Sequence, residues 1–251
     1  WLLKYPMPKG ARLVRLTAIR TLLHIAGITL MFSSLQYLEL ADAIAIAFVM
    51  PFIMLLLGKV YLNEDVGPHR LSACAVGFIG TMLVVQPNFV EVGLPALLPL
   101  GVAVVFSLFM LVTRAIAKDV DPIGLQALSG AMAVPLVGAA LLMLPNTSMF
   151  VVDQIPNSAW WLLAVLGGLG TIAHLLMTWS LRYAPSATLA PMQYLEIPFA
   201  TLLGFAIFHD LPNSLATLGI VITMAAGLYV ILRERATARA SAAIIARQPA
   251  E

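Results

Sequence analysis

Apolar stretches long enough to cross a lipid bilayer occupy most of this chain. A membrane-crossing helix needs about 20 mostly apolar residues, and we count eight stretches that approach or reach that length. They lie at about 17–38, 41–61, 71–86, 95–113, 123–144, 159–181, 187–208 and 214–232. The connections between them are short and rich in Pro, Asn, Asp and Gly, as loops usually are. This pattern predicts an all-α membrane protein.

The composition excludes an ordinary soluble domain. Hydrophobic residues make up 61% of the 251 positions and charged residues only 10%, whereas a soluble domain carries about 25% charged residues. The apolar stretches extend along the whole chain, so the excess is not one anchor attached to a soluble domain. The single cysteine, Cys74, lies inside an apolar stretch, which predicts a packed thiol and no disulfide.

The charged residues predict the orientation of the chain in the membrane. If the loops alternate between two faces, one face receives all 14 Lys and Arg residues. The opposite face carries acidic residues and no basic one: Glu39, Asp42, Glu91, Asp153 and Asp210. Lysine and arginine concentrate in cytoplasmic loops, and a wrong span count would have scattered them. The basic face is therefore predicted to be cytoplasmic, with 233–251 as a basic cytoplasmic tail attracted to anionic lipid.

Two segments of the chain, 34–80 and 180–227, contain similar features in the same order. Each has a proline followed by phenylalanine, then a short polar loop and a glycine-containing span. Pro51 corresponds to Pro198, and Gly80 to Gly227, at the same spacing. The two prolines fall in the second and the seventh span, so the two copies would cross the membrane in opposite directions. Inverted repeats of this kind are typical of secondary transporters.

The repeat predicts the domain organisation. The first repeat covers 1–92 and the second covers 93–232, followed by the tail 233–251. The second repeat has five spans and the first shows only three, so symmetry predicts two further spans upstream of residue 1. The expected fold is a ten-helix inverted five-plus-five repeat bundle, of which eight transmembrane helices are seen.

Motifs in both halves resemble the EamA domains of the drug/metabolite transporter superfamily. The first domain is carried by Ala41-Asp42-Ala43-Ile44-Ala45, Pro51-Phe52, Gly77-Phe78-Ile79-Gly80 and Gln86-Pro87. The second is carried by Arg182-Tyr183-Ala184-Pro185, Pro191-Met192-Gln193-Tyr194, Thr201-Leu202-Leu203-Gly204, Phe208-His209-Asp210-Leu211-Pro212 and Gly227-Leu228-Tyr229-Val230. The resemblance implies a ten-helix carrier with a central cavity in a bacterial inner membrane. Where the family often has Gly-Glu-Arg, this chain has Leu62-Asn63-Glu64-Asp65, and the shifted charges weaken the case for a role of that loop.

Glu196 and Gln193 are the first candidates for substrate binding or proton coupling. Glu196 is about nine residues into its span, near the membrane midplane at about 1.5 Å per residue, where a carboxylate is costly and usually functional. Gln193 precedes it by three residues, on the same helical face. The alternative interpretation is structural: a protonated Glu196 bonded to a neighbouring helix, or one that satisfies backbone groups freed by Pro198.

Two histidines and an arginine are the next candidates. His24 and His174 each lie about seven residues from the cytoplasmic end of their spans, and the repeat predicts that they face one another across the cavity. Imidazole titrates near neutral pH, which suits a proton-linked step, but an interhelical hydrogen bond is the alternative. Arg20 is expected to be an anchor that reaches the interface, with substrate binding as the less favoured option.

The remaining candidates are prolines, aromatic residues and glycines. Pro51 and Pro198 each free a mid-span carbonyl and are either hinges or static bends. Tyr194 and Trp179 either stack on an aromatic or cationic substrate or pack against lipid or at the membrane interface. The glycines of the later spans are expected to let helices approach closely: Gly167, Gly168, Gly170, Gly219 and Gly227.

Together these features favour a secondary transporter that moves a small organic metabolite or drug by alternating access, with proton coupling as an option. The alternative is a membrane-embedded enzyme or sensor that uses a buried His/Glu cluster. The sequence contains no His-Glu-x-x-His, Gly-x-Ser-x-Gly, phosphate-binding loop or Cys/His cluster, so no enzyme activity, cofactor or metal is predicted. The expected partners are a small-molecule substrate and the lipid bilayer, with a homodimer left open and no nucleic acid.

Overall fold

The computed structural model is helical throughout the part of the chain that it describes, which comprises Pro6, Pro8 and residues 10–87, 93–143, 156–209 and 213–245. The α-helices are α1 (Ala11–Ser34), α2 (Leu40–Ala47), α3 (Met50–Leu62), α4 (Pro68–Val85), α5 (Leu97–Ile116), α6 (Pro122–Met143), α7 (Trp160–Tyr183), α8 (Ser186–Met192), α9 (Glu196–Phe208) and α10 (Ser214–Ile245). Short 3₁₀ turns precede α5, α7 and α9.

Seven helical segments in this part of the chain are long and apolar enough to cross a membrane. They are Ala11–Ser34, Asp42–Leu62, Pro68–Val85, Leu94–Ile116, Pro122–Met143, Trp160–Tyr183 and Ser214–Thr237. The all-α membrane class is therefore confirmed. The eighth predicted span, 187–208, is not one long helix, because α8 ends at Met192 and a 3₁₀ turn separates it from α9.

The helices group into two compact units. Unit 1 contains α1, α5, α6 and α7, and unit 2 contains α2, α3, α4, α8, α9 and α10. Each unit takes helices from both of the predicted repeats, 1–92 and 93–232. The two packed units therefore do not coincide with the two repeats predicted from the sequence.

In unit 1, α1 packs along α5 and also contacts α6. Thr17, Arg20, Thr21 and Gly27 are the buried residues along the middle of α1. Thr21 follows Thr17 by four positions and Gly27 follows Arg20 by seven, so they share one helical face. In contrast, α7 exposes apolar side chains along much of its length, including Trp161 and Leu166. Such a helix suits an environment of lipid chains.

Unit 2 contains the same construction twice. The eight-residue α2 is followed by the 13-residue α3, and the seven-residue α8 by the 13-residue α9. Both 13-residue helices end in a left-handed cap, at Asn63 (φ 51°) and His209 (φ 58°). A long helix follows each, α4 in the first case and α10 in the second.

The two long helices of unit 2 pack antiparallel. Gln86, which caps the end of α4, hydrogen-bonds Asn213 just before α10 begins, while Arg70 near the start of α4 pairs with Glu234 far along α10. Between these points a Cβ atom on Gly219 would lie 2.5 Å from the carbonyl oxygen of Gly80. The two backbones therefore approach as closely as only glycine permits.

The expected role of the glycines holds at two of the five positions. Besides Gly219, Gly227 packs so tightly against Leu195 that a Cβ atom would overlap that side chain. On α7 the expectation is wrong, because a Cβ atom on Gly167, Gly168 or Gly170 would meet no described atom within 4 Å.

The basic segment after the last predicted span is a direct continuation of α10, which runs to Ile245. Within it Glu234 lies 2.8 Å from Arg70, and five residues earlier the hydroxyl of Tyr229 lies 2.9 Å from Nδ1 of His69. The first part of the predicted tail is thus a helix held to the first turn of α4, and Arg247 lies outside the described residues.

Candidate functional site

Arg20 is a fully buried residue in unit 1, only 1% exposed. Its Nε donates a hydrogen bond to Thr113 Oγ1 (3.0 Å), one terminal nitrogen donates to Ser129 Oγ (2.7 Å), and the other donates to Gln126 Oε1 (3.3 Å). The guanidinium carbon lies 4.6 Å from the centre of the Phe109 ring. A snorkelling arginine would place this group at the interface, so the structure corrects the expectation of an anchor.

The positive charge of Arg20 has only neutral partners in the part of unit 1 that the structure describes. Its three hydrogen-bond acceptors are two hydroxyl groups and an amide. A guanidinium carries five N–H groups, so two of them have no protein acceptor among the described residues. The ion pair in that part of unit 1, Arg12–Asp119, does not involve Arg20.

His24 lies one helical turn after Arg20, and the structure brings it against His174. Their ring centres are 4.4 Å apart with an edge-to-face geometry, so the rings touch within unit 1. Phe109 completes the group, at 5.3 Å from His24 and 5.5 Å from His174. Both imidazoles are half-buried, and Nδ1 of His174 is buried without a hydrogen-bond partner in the described structure. We call Arg20, His24, Phe109 and His174 the Arg20 cluster.

Glu196 and Gln193 lie in unit 2 on either side of the point where α9 begins. Glu196 is the first residue of α9, is exposed on unit 2 and forms no hydrogen bond or ion pair with the described residues of that unit. Gln193 lies in the preceding 3₁₀ turn, and its Nε2 is 3.4 Å from Met54 Sδ, while its Oε1 is buried and unpartnered in that part of the chain. In the described part of unit 2, Glu196 forms neither the bond to another helix nor the backbone cap of its structural alternatives. The start of a helix favours a negative charge there.

Pro51 and Pro198 do not interrupt continuous helices. Pro51 is the second residue of α3 and Pro198 the third of α9. In the first turn of a helix the missing N–H has no intrahelical acceptor in any case, so proline is tolerated there. The missing N–H of each proline thus falls just after a helix break, and beside the first break the carbonyl oxygen of Phe48 accepts the Tyr194 hydroxyl. The breaks precede the prolines, and a hinge role for these residues remains a prediction.

Tyr194 lies in the core of unit 2, with no exposed surface, rather than facing lipid. Its hydroxyl donates to the carbonyl oxygen of Phe48 (3.1 Å), and its ring stacks on that of Phe48 at 5.8 Å. The other edge of the ring lies against Gly77, where a Cβ atom would overlap it. Trp179 on α7 is 39% exposed, in agreement with its lipid-facing alternative.

Glu64 is a residue whose role the sequence did not indicate. Its Oε1 accepts the backbone N–H of Ser186 (2.9 Å), and its Oε2 accepts the Ser186 hydroxyl (2.6 Å) and the N–H of Ala187 (2.8 Å). The carboxylate thus caps the start of α8 and stabilises it both by hydrogen bonding and by charge.

The turn at the end of α3 places this carboxylate. Asn63 adopts the left-handed conformation, and the N–H of Glu64 bonds the carbonyl oxygen of Gly58 (3.1 Å). A Cβ atom on Gly58 would lie 2.8 Å from Glu64 Oε2, so glycine leaves the space that the carboxylate occupies. The available signal was that Glu64 keeps the acidic position of the family motif although both neighbours differ.

A cleft of about 660 Å³ lies between α9 and α10 on unit 2. It is lined mainly by apolar side chains, among them Phe199, Leu202 and Met224. Of the candidate residues only Pro198 lines it. An open apolar groove suits lipid chains rather than a polar solute, and the chemistry of the candidate site lies elsewhere.

Comparison with known proteins gives a consistent result. The model of the EamA-like transporter family matches residues 1–86 and 93–233. A riboflavin transporter of Brucella anthropi is 24% identical, and the alignment covers 89% of this chain and 78% of that transporter. A riboflavin transporter of Rhizobium johnstonii is 28% identical, with 86% of this chain and 69% of that transporter covered. An S-adenosylmethionine uptake transporter of Rickettsia bellii is 24% identical over 86% and 72%. A solved crystal structure with 19% identity matches 92% of this chain and 81% of its own with a TM-score of 0.74, which shows a shared fold.

Proposed function

Because the chain belongs to the EamA-like transporter family and is a multi-pass membrane transporter of small molecules, we propose that it is a secondary carrier that works by alternating access. The relatives named for riboflavin and for S-adenosylmethionine carry different solutes. The class that they share is a small organic metabolite, and this is the substrate class that we propose. Neither the family nor these relatives support an embedded enzyme or sensor.

The observation that carries the proposal is the duplicated construction of unit 2. Interrupted helices beside the substrate or coupling-ion site are a recurring feature of secondary carriers, and α2–α3 and α8–α9 are two such helices of matching length. The antiparallel contact of α4 with α10 supports the inverted repeat, with one copy in 1–92 and the other in 93–232.

We propose that the protein lies in a bacterial inner membrane with its C-terminus on the cytoplasmic side. All 14 Lys and Arg residues fall on one face of the predicted topology, and a basic face is cytoplasmic by the positive-inside rule. The riboflavin and S-adenosylmethionine transporters named above belong to bacteria.

We assign solute and proton contacts to polar groups in each unit. In unit 1 these are Arg20, His24 and His174, where a buried cation adjoins two imidazoles. In unit 2 they are Glu196 and Gln193 at the break between α8 and α9. Glu196 is the proposed coupling group, because its carboxylate is exposed on the unit and forms no recorded bond with the described residues.

Transport by purified protein in proteoliposomes tests the carrier proposal. Radiolabelled riboflavin, S-adenosylmethionine and a panel of other metabolites are offered under an imposed pH gradient or membrane potential. We expect at least one of them to accumulate only while the gradient lasts. If no solute moves under any gradient, the protein is not a secondary carrier.

A narrower experiment tests the coupling group. Glu196→Gln is expected to flatten the dependence of transport on external pH, whereas Glu39→Gln, which alters an exposed carboxylate of the same unit, serves as the control and leaves the profile unchanged. An unaltered pH profile for the Glu196 variant would remove this residue from the coupling step.

A further inference from the structure

The buried charge of Arg20 is not neutralised by any carboxylate in the described part of unit 1. The two carboxylates that this part contains have other partners. Asp119 lies 3.6 Å from Arg12 at the surface of the unit, and Asp121 accepts the backbone N–H groups of Ile123 and Gly124 at the start of α6 (2.9 and 3.1 Å). A buried cation is normally paired with an anion because an unpaired one is costly.

The neighbours of Arg20 fix the direction of its guanidinium without supplying that anion. Thr113 on α5 and Ser129 and Gln126 on α6 hold three of its N–H groups. Two N–H groups remain uncommitted among the described residues, and a guanidinium presents such groups as a fork that matches a carboxylate or a phosphate.

The rings beside the guanidinium complete a binding environment. Phe109 lies under the charge at 4.6 Å, and the half-buried rings of His24 and His174 touch at 4.4 Å. The buried, unpartnered Nδ1 of His174 is a further polar atom available to a ligand. Aromatic and imidazole faces of this kind pack well against another planar ring.

We propose that the Arg20 cluster is a binding subsite for the oxyanion group of the transported solute, a carboxylate or a phosphate ester carried by a planar ring. This inference rests on the carrier function proposed above. It adds the chemical class of the solute: the guanidinium of Arg20 holds the oxyanion, and the half-buried rings of His24 and His174 pack against the attached ring, while Phe109, which is fully buried, supports the guanidinium from below. The ligand supplies the negative charge that the described part of unit 1 does not supply.

Binding to the purified protein in lipid nanodiscs tests the subsite with four simple probes. Benzoate and phenyl phosphate carry an oxyanion on a ring, cyclohexanecarboxylate has the charge without an aromatic ring, and benzamide has the ring without the charge. We expect benzoate or phenyl phosphate to bind with the highest affinity, and benzamide to bind about tenfold or more weakly, as suits a charge-assisted contact. The preferred probe distinguishes a carboxylate from a phosphate ester.

Variants of two arginines on the same helix provide the matched comparison. Arg20→Lys keeps the charge but loses the fork, so we expect about tenfold weaker binding of the preferred probe, and Arg20→Gln should abolish it. Arg12→Gln removes an exposed charge from α1 and should bind like the unmodified protein. If Arg20→Gln does not fold, Ser129→Ala and Thr113→Val each release one side of the guanidinium and should weaken binding while the charge is retained.

Three results would overturn the subsite. The first is equal binding of benzoate and benzamide, and the second is full binding of the preferred probe by Arg20→Lys and by both hydroxyl variants. The third is that chloride competes with the preferred probe as strongly as a ring-bearing oxyanion does, which would indicate a general salt effect. Transport measurements separate this inference from the carrier proposal. If uncharged solutes are transported and benzoate does not bind, the carrier stands and the subsite fails. If benzoate binds at Arg20 but no solute moves under any gradient, the subsite stands and the carrier fails.

Discussion

Replacement of Glu64 by glutamine should loosen the start of α8. The substitution keeps the length of the side chain but exchanges one carboxylate oxygen for an NH₂ group and removes the charge. If the remaining oxygen takes the place of Oε2, it still accepts the Ser186 hydroxyl and the Ala187 N–H. The new NH₂ then faces the N–H of Ser186, so two donors meet and one hydrogen bond is lost.

The magnitude follows from that count of bonds. A hydrogen bond to a charged group contributes about 1.5–3 kcal/mol and a neutral one about 0.5–1.5 kcal/mol. One charged bond disappears and two become neutral, but Glu64 is half-buried, so water compensates part of the loss. We expect about 2 kcal/mol less stability for the cap, which corresponds to about 30-fold faster local opening.

Hydrogen–deuterium exchange in nanodiscs measures this opening. Peptides that cover Ser186–Met192 should exchange about 30-fold faster in Glu64→Gln than in the unmodified protein, while peptides in α5 stay unchanged. Asp65→Asn is the matched control, since the neighbouring carboxylate is exposed and should have no effect. If exchange in α8 is the same in both variants, the carboxylate does not hold this helix and the argument fails.

Three further substitutions test the packing of unit 2. Gly219→Ala would place a methyl group 2.5 Å from the carbonyl oxygen of Gly80, so we expect a loss of about 3 kcal/mol, the upper end for overpacking, and a lower thermal unfolding midpoint. Gly204→Ala meets nothing within 4 Å and should be neutral or stabilise the helix by up to about 1 kcal/mol; similar midpoints for the two variants would contradict the close contact. Tyr194→Phe removes the buried hydrogen bond to the carbonyl oxygen of Phe48 and should cost about 1–2 kcal/mol, and an unchanged midpoint would refute this.

The helices could be predicted from the sequence because an apolar stretch long enough to cross the bilayer gives a direct hydropathy signal. The predicted stretch 95–113 corresponds to α5, Leu97–Ile116, with a shift of three residues or fewer. The start of α1 was missed by six residues, since Arg12 and Arg15 are helical but polar. Hydropathy locates the apolar part of a helix, whereas the backbone hydrogen bonds that define the helix can extend beyond it into polar residues.

The break between α8 and α9 was only half visible in the sequence. Pro198 indicated an irregularity, but the interruption lies at Gln193–Leu195, where Tyr194 turns into the core against Phe48. That position depends on the space left by Gly77, a residue more than 100 positions away. Local sequence does not contain such information.

The candidate site likewise contains contacts that the sequence predicts and contacts that it does not. The proximity of His24 and His174 could be predicted from their depth in the repeat, because two equivalent positions determine it. The burial of Arg20 could not, because its acceptors Thr113, Gln126 and Ser129 lie 93 to 109 residues later and hydroxyl groups are common on membrane helices. Glu64 was undervalued for a similar reason, since its partners follow 122 and 123 residues later.

These long separations also constrain how the protein is made. When α1 leaves the ribosome, Arg20 has none of its three acceptors, and an isolated arginine near the centre of a helix opposes insertion by about 2.5–3.5 kcal/mol. The last acceptor, Ser129 on α6, is synthesised 109 residues later. The nascent α1 must therefore wait at the insertion machinery or the membrane surface until α5 and α6 arrive, so that unit 1 enters the bilayer as a group of helices rather than one at a time.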